Sequence, residues 1–147
     1  MHTLEFDRYG HLMPYELIET DIQTFEQYFL SSQERLKIYA EFKQLIQQLK
    51  LEALTEIWID GSFITLKPNP QDMDVVIFIE AADYERQEIL LSTLRQRSKS
   101  LDIYFVKSYP PEHPKYFLTN FDKIDWQSFF GRNRQNLKKG IIKLSMS

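Results

Sequence analysis

Two short segments and one isolated acid carry the residue types in this chain that could do chemistry. Gly61-Ser62 follows the apolar run Glu56-Ile-Trp-Ile59, nine residues intervene, and Asp72-Met73-Asp74 then opens Val75-Val-Ile-Phe-Ile79. Side chains alternate along a strand, so Asp72 and Asp74 leave one face while Met73 leaves the other. Two carboxylates held that close repel one another, and beside an apolar strand the cost is relieved by a cation or by protons. A hard divalent ion, Mg²⁺ or Mn²⁺, takes oxygen ligands and often shares its shell with substrate phosphates. Leu101-Asp102-Ile-Tyr-Phe105 adds a third carboxylate to an otherwise apolar run. If that run pairs beside residues 73–79, Asp102 faces the same site, and three acids could hold two metals, one on a triphosphate and one on an attacking hydroxyl. Gly61 lets backbone approach closely, and exposed N–H groups with the Ser62 hydroxyl suit phosphate oxygens. The same residues also read more plainly, as an Asp-Gly-Ser turn followed by two aspartates at a strand end.

Positioning these residues requires strands at 56–59, 73–79 and 101–106, where β-branched and aromatic residues concentrate. The run 75–79 is continuously apolar, as expected of a strand covered on both faces. Thr3–Phe6 reads as a short edge strand closed by the turn Asp7–Gly10. A first helix is predicted from Asp21 to Leu30, with Ile22, Phe25 and Phe29 on one face. Ser31-x-x-Glu34 fits a capping box, and Leu36, Tyr39, Phe42, Ile46 and Leu49 make a helical stripe for core packing. Ala82–Arg97 reads as a helix with Ile89, Leu90 and Leu94 inward. The prolines 110, 111 and 114 exclude helix and central strand there. A short helix over Asp122–Phe130, a basic turn and a last strand Gly140–Leu144 complete the chain. The expectation is one mixed α/β (α+β) domain over residues 1–147, a small mixed sheet flanked by helices.

The pattern of apolar strand, Gly-Ser, nine residues, Asp-x-Asp and apolar strand, with one more Asp on a later strand, resembles the DNA polymerase β-like nucleotidyltransferase superfamily. The short chain looks like its minimal nucleotidyltransferases. Trp58-Ile-Asp-Gly-Ser-Phe-Ile-Thr, Pro70-Gln-Asp-Met-Asp-Val-Val and the tail Phe129-Phe-Gly-Arg…Lys139-Gly-Ile-Ile look closest to an uncharacterised bacterial branch. The motif spans about residues 56–106. The resemblance implies the nucleotidyltransferase fold, with Gly61 and Ser62 on the nucleotide phosphates and Asp72 and Asp74 on Mg²⁺ or Mn²⁺. Asp102 would help hold metal and promote deprotonation of the acceptor hydroxyl. It implies transfer of a nucleoside monophosphate from an NTP such as ATP to a hydroxyl of a protein, an RNA or a small molecule. By the same analogy an antitoxin-like role on a separate helical protein is an expected partnership. Where minimal nucleotidyltransferases often carry an arginine after Gly-Ser, this chain has Phe63, and Lys67 is the nearest cation. The second reading is a catalytically degenerate form of that fold that binds protein or nucleic acid.

Composition bounds the remaining classes. The chain has 147 residues, 43% hydrophobic and 27% charged, which suits a globular domain rather than a disordered one. With no cysteine, disulfides, thiolate zinc sites and cysteine nucleophiles are excluded. No apolar run approaches the ~20 residues of a membrane span, and no secretory leader is visible, so a cytoplasmic protein is expected. The three histidines (His2, His11, His113) lack metal-ligand spacing, no P-loop motif exists, and Ser62 has no evident base partner. Net charge is −3, but residues 1–34 carry −6 and residues 131–147 carry +5. A solvated acidic flank and basic tail, salt-bridged to each other, is the simplest reading. Arg132 and Arg134 are candidate phosphate or nucleic-acid contacts if the basic turn folds over the cleft, and Tyr104 and Tyr109 are candidate base-stacking residues better placed as packing.

Overall fold

A computed structural model describes residues 3–133 and 135–146. Seven strands and five helices follow the order β1 (Glu5–Phe6), β2 (Leu12–Met13), β3 (Leu17–Asp21), α1 (Ile22–Phe29), α2 (Gln33–Gln47), β4 (Leu54–Asp60), β5 (Met73–Glu80), α3 (Ala81–Arg86), α4 (Glu88–Arg97), β6 (Leu101–Ser108), α5 (Tyr116–Phe130) and β7 (Ile141–Ser145). β1 and β2 form a small antiparallel hairpin, turned at Gly10 with φ +81°. The other five strands make one mixed sheet in the order β3-β7-β4-β5-β6, with β3 parallel to β7 and β5 parallel to β6. The expected mixed α/β architecture is therefore present.

The alternation of β5 explains its unbroken apolar run. Met73, Val75, Ile77 and Ile79 join the larger core with Phe25, Phe42 and Leu94 from the helices. Val76 and Phe78 face the opposite side, where Trp58, Val106 and Phe130 form a second, smaller core beneath α5. Both faces are thus covered at this strand.

Several sequence expectations shift by local detail. The helix cap is Ser32, not Ser31: the Ser32 hydroxyl accepts from Arg35 N at 3.2 Å. Tyr39, Phe42, Ile46 and Leu49 are buried as the stripe predicts; only Leu36 departs from it, lying exposed while Ile38 is buried. Residues 82–97 are two helices broken at Gln87, which rotates Leu91 inward beside Leu94 and leaves Ile89 86% exposed. The helix predicted at 122–130 begins six residues earlier, at Tyr116. Leu17–Asp21 is a strand that the sequence reading missed, because it mixes charged with apolar residues and sits at the sheet edge. The basic tail meets the acidic flank through backbone, β7 pairing with β3, but the ion pairs of Lys139 and Lys143 are to Asp60 and Glu56 on β4.

Candidate functional site

Register builds the site. In the antiparallel β4–β5 pair Asp60 lies opposite Asp74, and in the parallel β5–β6 pair Asp74 lies opposite Asp102. Directly paired residues share a face, so three carboxylates stand in a row across three adjacent strands. The row continues the Trp58–Val76–Tyr104 row of the same face, one alternation further along each strand. Asp72, just ahead of β5, adds a fourth acid at the edge of this row, exposed to solvent.

Burial grades the four acids. Asp60 is 1% exposed, Asp74 is half-buried, and Asp102 is exposed. Burial, followed by the charges of Asp60, Asp72 and Asp102, pushes the Asp74 carboxyl up to about 7, with Lys139 pulling against them. Burial likewise raises Asp60 to about 6, opposed by Lys139 and the Gly61 amide. The structure therefore brings Asp72, Asp74 and Asp102 into electrostatic contact and adds Asp60. That residue was missed because it reads as the end of a strand before a Gly-Ser turn. Its signal was its place in an apolar strand directly ahead of glycine.

Gly61 is fixed by two constraints. Its φ is +83°, a region that L side chains rarely adopt. A Cβ there would also sit 2.5 Å from Asp74 Oδ2, so the carboxylate packs against the bare glycine. Ser62 opens a 3-10 turn through Ile64, and its carbonyl accepts from Thr65 N and Thr65 Oγ1. The Ser62 hydroxyl makes no hydrogen bond among the described residues.

The loop after Gly61-Ser62 hangs on one buried arginine. Arg35 of α2 donates to the carbonyls of Phe29, Phe63, Thr65 and Lys67 at 2.5–3.2 Å. Carbonyls with no strand partner need donors, and a guanidinium supplies five in a fixed fork. Phe63 points into the core, its ring stacked on Phe25 at 5.9 Å and lying 5.0 Å from the Arg35 guanidinium carbon. A longer cationic side chain in that place would face the core, not the acids.

Lys67 holds the loop through its backbone, and its side chain is exposed without a partner among the described residues. The cation at the acid row is Lys139, whose Nζ donates to Asp60 Oδ2 at 3.0 Å. Asp60 Oδ1 has no hydrogen-bond partner although it is buried. Lys139 closes the basic turn, where Arg132 Nη1 donates to the Asn136 carbonyl at 3.1 Å. Arg134 and His2 lie outside the described residues. Tyr104 packs on Trp126 at 4.8 Å and Tyr109 on His113 at 4.7 Å, which bears out the packing reading of both.

The acids present the right donor chemistry for a hard cation: oxygen only, clustered, and charged at a cost that a cation removes. Among the described residues no three His, Asp or Glu side chains converge closely enough to hold a metal ion as they stand. A cavity of about 830 Å³ lies elsewhere, at the other end of the same strands, lined by Thr55, Glu80, Ser108 and Tyr109. The acid row is not part of it.

The chain belongs to the family described as a family of unknown function (DUF6932), whose model matches residues 4–145. No curated protein and no solved structure matches it.

Proposed function

We propose that this protein is a divalent-metal-dependent nucleotidyltransferase, with Gly61, Ser62, Asp72, Asp74 and Asp102 as its site. The observation that carries the proposal is the in-register row Asp60–Asp74–Asp102 beside a positive-φ glycine against which Asp74 packs. The sheet supports it too: β6 pairs directly beside β5, so the strand bearing the third Asp lies next to the one that follows Asp72 and carries Asp74. Asp72, Asp74 and Asp102 would hold Mg²⁺ or Mn²⁺. When bound, the metal neutralises phosphate charge and makes a hydroxyl more acidic.

The chain's own residues take these roles in the proposal. The Ser62 hydroxyl and the Gly61-Ser62 amides bind phosphate oxygens of an NTP, and Arg35 keeps the loop rigid by binding its carbonyls from behind. Asp102, the most exposed acid of the row, accepts the proton of the acceptor hydroxyl. The acceptor oxygen bonds to the α-phosphorus, the bond to the bridging oxygen breaks, and pyrophosphate leaves with the electron pair. Lys139, rather than Lys67, is the cation that pairs with this row among the described residues, and Asp60 holds it there.

One observation favours a second reading. The acids are not gathered to ligating distance as they stand, which suits a nucleotidyltransferase fold retained for binding a protein or nucleic acid without chemistry. Thermal unfolding separates the two. With Mg²⁺ and the preferred NTP at about 100 times their Kd, the first reading expects stabilisation of about 2–3 kcal/mol, roughly 5–10 °C. The shift should vanish without metal and in Asp74→Asn. No shift with any NTP leaves the binding-module reading standing.

A further inference from the structure

Strands β5 and β6 run parallel and end together at Glu80 and Ser108, while the acid row stands at their other end. Past these ends opens the cavity of about 830 Å³, bounded by β4 and α3 and by the connection from β6 into α5. Sites for small organic ligands span about 300–1,000 Å³. Pro110 and Pro111 keep that connection from continuing the strand. Tyr109 N donates to Thr119 Oγ1 at 2.8 Å, and the Tyr109 and His113 rings lie 4.7 Å apart. His113 Nδ1 accepts from Lys115 N at 2.9 Å, which leaves a ring proton on Nε2. The wall is therefore tied down by its own contacts.

Some polar groups of the lining are already matched, and others are not. Glu56 pairs with Lys123 and Lys143, and Glu85 with Lys107. Glu80 and Lys115 also line the cavity, and neither side chain has an ion pair among the described residues. Ser108 stands opposite Glu80 in register, so the two share a face. It is only 8% exposed, yet its hydroxyl has no hydrogen-bond partner among the described residues. A hydroxyl so placed is costly unless a polar group in the cavity answers it.

We propose that this cavity is a second binding site, for a small zwitterion that carries an amine and a carboxylate: an amino acid or a short peptide. Glu80 and the Ser108 oxygen accept from its ammonium, and Lys115 and the His113 Nε2–H hold its carboxylate. Tyr109, Tyr116 and the proline rings supply the apolar wall for its body. Charge selects this class. Three carboxylates line the cavity and Lys123 is committed to Glu56, so a phosphate dianion fits badly, while a simple amine leaves Lys115 unmatched. The site is independent of the acid row and of the chemistry proposed there.

Isothermal titration of the full chain, without Mg²⁺, against the standard amino acids and a panel of dipeptides and tripeptides tests this. At least one zwitterion should bind saturably, and the panel that supplies it identifies the ligand as amino acid or peptide. Acetylating its amine or amidating its carboxylate should each weaken binding at least tenfold. Glu80→Gln and Lys115→Met should do the same without lowering the unfolding temperature, since both side chains are exposed at the rim. Acetylation should cost nothing further in Glu80→Gln, nor amidation in Lys115→Met. No binding at up to about 10 mM from either panel overturns the proposal. So does binding indifferent to both variants, or to blocking both ends of the ligand.

Discussion

Gly61 and Asp74 show how one residue's backbone sets another's chemistry. Because the Asp74 carboxylate rests where a Cβ would be, Gly61→Ala forces both a strained φ and a moved carboxylate. We expect a loss of about 2–4 kcal/mol in urea unfolding, with metal binding lost as well. The pH dependence of Asp74 has a definite sign. Its carboxyl, raised to about 7 in the folded chain, keeps a proton that the unfolded chain releases near its ordinary value of ~4. The folded state therefore binds more protons between these values, and its stability falls as pH rises through about 7. Without metal, Asp74→Asn should melt above wild type at pH 8, by about 1–3 kcal/mol after allowing for solvent screening, and the advantage should disappear by pH 4. An equal difference at both pH values would contradict the burial and repulsion assigned to Asp74. Asp60 tests differently. Lys139→Met strands a buried carboxylate and should cost about 2–4 kcal/mol, and adding Asp60→Asn should recover most of it in a double-mutant cycle. Additive losses would deny the pair.

At the scale of elements, the acid row exists because three strands keep register, and the loop beside it exists because α2 reaches under it. Arg35→Lys leaves at most three donors on one nitrogen for four carbonyls. Chemical denaturation should show a loss of about 2–4 kcal/mol with only partial retention of nucleotide affinity. The strands were legible in the sequence, since Val75–Ile79 is apolar without a break and Leu101–Val106 nearly so. Asp72 lies just ahead of β5 rather than on it, so strand alternation does not set its face, although its charge acts on Asp74. What could not be read was long-range: the register that sets Asp60 opposite Asp74, and the return of the tail that brings Lys139 79 residues back to Asp60. Helix phase failed for a similar reason. The break at Gln87 carries no proline or glycine, so residues 82–97 read as one helix; Leu94 is buried as expected, but Leu91 takes the inward place assigned to Ile89 and Leu90.

Across the whole molecule, charge and apolar surface are divided between two places on one sheet. Four aspartates and one lysine gather at one end of the central strands, while α5 carries an unpartnered apolar stripe on its outer side. The acidic and basic blocks of sequence meet as strands, β3 pairing with β7 so that Glu19 lies opposite Lys143, while the side chains of Lys139 and Lys143 reach Asp60 and Glu56 on β4. The acid row is the proposed site of a nucleotide held through a divalent cation. Isothermal titration of a non-hydrolysable NTP into the protein, with and without Mg²⁺, tests this most directly. Saturable binding is expected only with Mg²⁺, weakened at least tenfold in Asp74→Asn at a pH where that variant remains folded. Absence of Mg²⁺-dependent binding for every NTP, or binding unchanged in Asp74→Asn, would contradict it.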